Sequence, residues 1–136
     1  MKTTFKLVAF LLTITLLSCN ANLNLNDGVE GSGNVITEKR TINESFDKIS
    51  ASTGVTVIVE QGSPNDVEVE TDDNLMQYVI TKVENGTLIV KIEGNINTMS
   101  SIDVRVRMSS IVGLESTSGS RISSKNTLKG STIAVK

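Results

Sequence analysis

From Asn34 onward the chain alternates apolar and polar residues with a period of two over short runs. That is the signature of strands with one buried face and one wet face. The clearest run is Val55-Thr56-Val57-Ile58-Val59-Glu60, opened by Gly54 and closed by Gln61–Asn65, which sets Val55, Val57 and Val59 on one face. Ile102–Met108 repeats the pattern with Asp103, Arg105 and Arg107 on its outer side, and Val67-Glu68-Val69-Glu70 sets two valines against two glutamates. Val35–Ile42 and Phe46–Ala51 read as two further strands. After Asp72-Asp73-Asn74 the period changes: Leu75, Met76, Val79 and Ile80 fall at helical spacing. This predicts a helix of one or two turns capped by Asp72 or Asp73, whose carboxylates can accept the free N–H groups of a first turn. Asn85-Gly86, between Ile80–Val83 and Leu88–Ile92, predicts a tight hairpin, because both residues tolerate the positive φ of a type I′ turn.

Ser109–Lys136 differs in character. Ser, Gly and Thr dominate, with single apolar residues at Leu114, Ile122, Leu128 and Ile133. Short strands joined by tight Ser/Gly turns predict a solenoid, with a disordered tail as the alternative. The chain ends at Ile133–Lys136 within a strand pattern, which predicts an incomplete domain with an uncapped edge. Beyond the first 18 residues the only aromatics are Phe46 and Tyr78, so the core must be built from Val, Ile and Leu. Thin aliphatic layers suit stacked strands. The fold class expected is all-β and solenoid-like, with an N-terminal hairpin region and one short helix; a β-sandwich is the alternative.

The N-terminus has a different pattern. Lys2 and Lys6 precede the apolar run Leu7–Leu17, too short to span a bilayer as a helix. Leu16-Leu17-Ser18-Cys19 then reads as a lipobox, with Cys19 as the lipidated residue; ordinary cleavage after Ala21 is the alternative. Three segments follow: residues 1–18 as a lipoprotein signal peptide, 19–33 as a flexible Asn/Gly-rich tether, and 34–136 as the β-domain. Multiple acylation of Cys19 would hold the protein firmly on a membrane. Asn20 is not the Asp that signals inner-membrane retention, so the outer membrane is favoured over the inner.

Charge and chemistry narrow the function. The whole chain carries 13 Lys and Arg against 15 Asp and Glu. Such mild acidity argues against nucleic acid, which calls for a concentrated basic face. With one Cys, no disulfide can form within the chain, and with no His there is no imidazole base or metal ligand. No cofactor is expected. Asp66, Glu68 and Glu70 are the metal candidates, as carboxylates about 7 Å apart along a strand that could share a Ca²⁺; a solvated strand face is the plainer reading. Arg105 and Arg107 are the candidates for gripping an anionic sugar or phosphate, and Tyr78 is either a stacking residue or core.

Several of these runs together resemble a known family. They are Phe46-x-x-Ile49, Gly54-Val55-x-Val57-x-Val59-x-Gln61-Gly62, Val67-x-Val69-x-Thr71-Asp72-x-Asn74-Leu75, and Asn85-Gly86-x-Leu88-x-Val90, with Leu114-x-Ser116-x-Ser118-Gly119-Ser120 further on. They resemble the head GIN domain of adhesin-like bacterial envelope lipoproteins over roughly residues 34–136. The resemblance implies a right-handed β-helix, usually in a longer chain, and it carries no catalytic residues to transfer. The expected function is a lipid-anchored, non-catalytic envelope module that binds an unknown protein or polysaccharide, or itself through an exposed edge strand. A lyase-like, polysaccharide-active enzyme on a β-helix and an incomplete structural fragment are the alternatives.

Overall fold

The alternating runs within residues 56–61, 66–72 and 102–108 become strands with the apolar face inward, whereas the strand at Val35–Lys39 is exposed along its whole length. The computed structural model describes residues 28–136. Its strands are β1 (Val29–Glu30), β2 (Val35–Lys39), β3 (Lys48–Ala51), β4 (Thr56–Gln61), β5 (Asp66–Asp72), β6 (Val79–Glu84), β7 (Thr87–Ile92), β8 (Ile96–Thr98), β9 (Ile102–Met108), β10 (Gly113–Ser116), β11 (Arg121–Ser124) and β12 (Ala134–Val135). A 3-10 helix, Asp73–Tyr78, separates β5 from β6. The strands form two five-stranded sheets, ordered β12-β10-β3-β7-β6 and β11-β4-β9-β5-β2, with β1 and β8 as a separate parallel pair. The all-β expectation holds. The two sheets share one apolar core in a sandwich-like arrangement, and neither closes into a barrel.

Three chain segments cross from the first sheet to the second: β3 to β4, β7 through β8 to β9, and β10 to β11. Successive crossings lie on one another in parallel register, so like residues form columns. Leu88, Ile49, Leu114 and Val135 stand side by side in one sheet, and Val104, Val57 and Ile122 in the other. The corners stack as well. Thr53 and Gly54 turn one with φ of 61° and 72°, Ser118 and Gly119 turn another with 52° and 75°, and the Gly54 N–H donates to the Ser118 carbonyl at 3.1 Å. Column residues Val57, Val59, Val67, Val69, Val104 and Val106 are at most 1% exposed. Each such burial contributes about 1.5–3 kcal/mol relative to leaving the side chain in water.

The hairpin at Asn85-Gly86 forms as its sequence demands. Glu84 pairs with Thr87 across it, and φ is 50° at Asn85 and 74° at Gly86. The N-terminal hairpin region does not form. β2 pairs antiparallel with β5, while β3 joins the other sheet between β7 and β10. The Arg40 N–H still donates to the Val67 carbonyl, but residues 41–47 then cross between sheets, which buries Phe46 as a plug rather than as part of a strand. The short helix is a 3-10 turn that runs directly into strands at both ends, and Asp72 makes no side-chain cap.

Residues 28–33, expected to belong to the tether, are part of the fold. The Val29 N–H donates to the Asn95 carbonyl and the Gly31 N–H to the Thr98 carbonyl, both at 2.8 Å. The signal peptide, Cys19 and the rest of the tether lie outside the described residues. At the other end of the chain, the stretch after β11 is held by amides that replace a strand ladder. Asn126 exchanges two 2.9 Å hydrogen bonds with the Gln61 backbone, and the Gln61 side chain does the same with the Lys129 backbone at 2.8 and 2.6 Å.

Candidate functional site

The outer face of the β11-β4-β9-β5-β2 sheet gathers the charged residues singled out in the sequence. Alternation places Asp66, Glu68 and Glu70 outward on β5, and the antiparallel register sets them opposite Arg107, Arg105 and Asp103 of β9. The result is a lattice of opposite charges. Lys39 Nζ lies 2.8 Å from Asp66, and Arg105 Nη1 donates to Glu70 Oε2 at 3.0 Å. Glu60 of β4 receives Lys125 at 3.0 Å and Arg107 at 3.6 Å. Glu68 stands in register between Lys39 and Arg105. Ile58, Glu60, Asp66, Glu68, Arg105, Arg107 and Lys125 border a depression of about 170 Å³.

The lattice governs protonation. The Arg105 guanidinium, through its hydrogen bond, holds the Glu70 carboxyl below the ordinary carboxylate range against the opposing effect of burial, and is itself raised in return. Lys125 does the same for Glu60. Among the described residues the shifted carboxyls all move downward, away from the range of an acid poised near neutral pH. Among the described residues no three His, Cys, Asp or Glu side chains converge to hold a metal ion. Asp66 and Glu70 meet cations of this chain instead, as do Arg105 and Arg107 with carboxylates.

A second polar cluster was not legible as such. Asp72 is fully buried, and its carboxylate gathers the chain from both directions. Oδ1 accepts from the Gly33 N–H at 2.7 Å and the Ser100 hydroxyl at 2.9 Å, while Oδ2 accepts from the Ser100 N–H at 2.8 Å. These bonds, the Ser100 N–H foremost, hold its carboxyl below the usual range. Beside it Asp73 accepts from the Ser32 hydroxyl at 2.5 Å and the Asn34 amide at 2.9 Å, and Asn74 donates to the Glu30 carbonyl at 2.8 Å. The residue run that looks like a helix cap is thus a knot that fastens residues 30–34 to the domain. Gly31 is required there, since a Cβ on it would lie 2.6 Å from Asp72 Oδ2. The partners of Asp72 lie 39 and 28 residues away, and nothing along the sequence links them. Tyr78 packs on the core edge, its ring against Gly94, where a Cβ would come within 2.6 Å of it.

The described residues thus form a two-sheet all-β scaffold whose outer face carries paired surface charge. The family model described as "Putative auto-transporter adhesin, head GIN domain" matches residues 45–136, and the chain belongs to this family. The crystal structure titled a putative adhesin from Parabacteroides merdae ATCC 43184 is similar at 25% identity and a TM-score of 0.71, over 80% of this chain and 46% of that one. A putative adhesin from Bacteroides fragilis NCTC 9343 shares the fold at 18% identity and a TM-score of 0.72, over 80% and 51%. A structure titled a putative lipid binding protein, from Parabacteroides distasonis ATCC 8503, does so at 20% identity and 0.60, over 69% and 42%. The chain therefore spans about half the length of these structures or less. A search of the curated proteins finds no match.

Proposed function

We propose that the protein is a lipid-anchored, non-catalytic module of the cell envelope, held at the outer membrane through Cys19, whose β-domain binds an envelope protein or polysaccharide. The observation that carries this reading is the order of two features: Leu16-Leu17-Ser18-Cys19 directly behind an apolar run, followed by a head GIN domain over residues 45–136. The adhesin titles of the similar structures support an interaction role. The adhesin description of the family likewise supports the non-catalytic reading. The parallel columns through β7, β3, β10 and β12 support a finer reading of the fold, in which the two sheets are faces of a right-handed β-helix.

The test is expression of the full chain in a Gram-negative host fed an alkyne-bearing fatty acid, beside Cys19→Ala. Lipid label on the parent protein only, recovered with outer-membrane vesicles, is the expected result. An unlabelled protein starting at Asn22 in the soluble fraction would overturn the anchor. Vesicles carrying the protein should also retain envelope protein or polysaccharide that control vesicles do not, and failure of that retention would remove the interaction role.

A further inference from the structure

One side of the fold is built from four connections. Residues 40–47 and 109–112 cross between the sheets, 62–65 joins β4 to β5 across the end of β9, and 85–86 turns between β6 and β7. Backbone hydrogen bonds sew them together. The Asp47 and Lys48 N–H groups donate to the Gly86 carbonyl at 3.1 and 3.3 Å, and the Val112 N–H donates to the Asp47 carbonyl at 2.8 Å. The Ser109 N–H donates to Asn65 Oδ1 at 3.1 Å. Two depressions open on this side, of about 390 and 340 Å³, in the size range of small-molecule sites. Ser45, Phe46 and Asn65 border both, so the two adjoin across the Phe46 ring, which keeps 6% of its surface exposed.

The side chains around this cleft are uncommitted. Asn43, Ser45, Asp47 and Ser110 make no side-chain hydrogen bond or ion pair among the described residues, and all but Asp47 are exposed. Asn65 uses its Oδ1 on Ser109 and keeps two amide protons. Hydroxyl and amide groups donate and accept at once, which matches sugar hydroxyls, themselves both donors and acceptors. The cations that border the first depression are already taken, Lys39 by Asp66 at 2.8 Å and Arg40 by Glu38 at 2.9 Å. Glu44 and Asp47 have no cation partner among the described residues, so an anionic ligand meets like charge. An extended peptide fits poorly too. The amides of Asp47, Lys48, Ser109 and Val112 are spent within the fold rather than offered as a strand edge.

We infer that this cleft binds a neutral glycan chain, with two successive sugar units in the two depressions and their linkage over Ser45. Asn43 bonds hydroxyls of the first unit, Asp47 and Ser110 those of the second, and the Asn65 amide protons serve either. Phe46 gives the C–H groups of both units an apolar contact between them. Because the loops are already held by backbone hydrogen bonds, little ordering opposes binding. The inference names the ligand class for the interaction role above and rests on it.

The test applies the full chain in detergent to an immobilised array of neutral hexose and N-acetylhexosamine oligomers with their sulfated and uronic counterparts. Saturable binding to at least one neutral oligomer is expected, about tenfold weaker for its sulfated form. Asn43→Ala and Asp47→Ala should each weaken that binding about fivefold at an unchanged urea midpoint, as loss of a hydrogen bond requires. Ser45→Trp, which fills the cleft, should abolish it, and Arg105→Ala on the charged sheet face should leave it unchanged. No binding to any neutral oligomer, preference for the sulfated form, or equal binding by the Ser45→Trp variant would overturn the inference. An empty array beside vesicles that still retain an envelope protein would overturn the glycan site and leave the interaction role standing. An empty array without vesicle retention would remove both.

Discussion

Leu88 and Leu114 flank Ile49 in one column of the first sheet, one strand apart on either side. Replacing each by Ala is the same chemical deletion in two settings. Leu88 is fully buried. Its truncation removes about three carbon groups at ~0.8 kcal/mol each and leaves a cavity walled by rigid strands, for a loss of about 3–4 kcal/mol. Leu114 is only partly buried, next to a Val135 that is 75% exposed, so part of its surface is already wet and water can fill the space left behind. About 1–1.5 kcal/mol is expected there. Urea unfolding followed by far-UV circular dichroism measures both, provided the slope with denaturant stays constant. For a domain of about 110 residues the difference corresponds to melting temperatures roughly 8 °C apart. Equal losses at the two positions would refute the reasoning, because they would mean that the β10–β12 end of the core is covered in solution.

Three further predictions concern polar and backbone devices. Asp72, Asp73, Glu60 and Glu70 have folded-state pKa values below their ordinary ones. Their contribution is therefore present above the ordinary carboxylate range, near pH 4, and is lost as pH falls through and below it. A plot of unfolding free energy against pH should show that acid decline, and Asp72→Asn should flatten part of it while speeding amide exchange at Gly33 and Ser100; an unchanged slope would count against the knot. Gly94→Ala should destabilise by about 1–3 kcal/mol, since φ is 128° and the added Cβ meets the Tyr78 ring at 2.6 Å; a neutral effect in urea melts would show that the ring moves freely. Asn85→Val should lower stability by about 1–2 kcal/mol while Asn85→Gly stays within a few tenths, as a left-handed type I′ position requires. Matching melts for the two variants would mean that the hairpin turn has another form.

The strands and the hairpin were legible because their signals are local. A period of two assigns inner and outer faces without knowledge of the partner strand, and Asn85-Gly86 carries its turn in its own backbone preferences. The identity of the outward residues on β5 and β9 was readable for the same reason. That Glu70 meets Arg105 while Lys125 and Arg107 converge on Glu60 was not, because register between distant strands decides it.

Asp72 shows the limit most clearly. Locally, Asp before a helical run favours a cap, and on one chain segment alone that is the better use of its carboxylate. The fold brings Gly33 and Ser100 to it, offering three hydrogen bonds to a buried group, and a buried carboxylate cannot forgo them. The same competition placed residues 28–33 in the domain and sent β2 to β5 instead of β3. The sequence by itself determined which residues face the core, where the tight turn falls, and that no imidazole or disulfide chemistry is available. Only the tertiary structure decided the pairing of strands and the partners of each charge, because those depend on contacts between residues far apart along the chain.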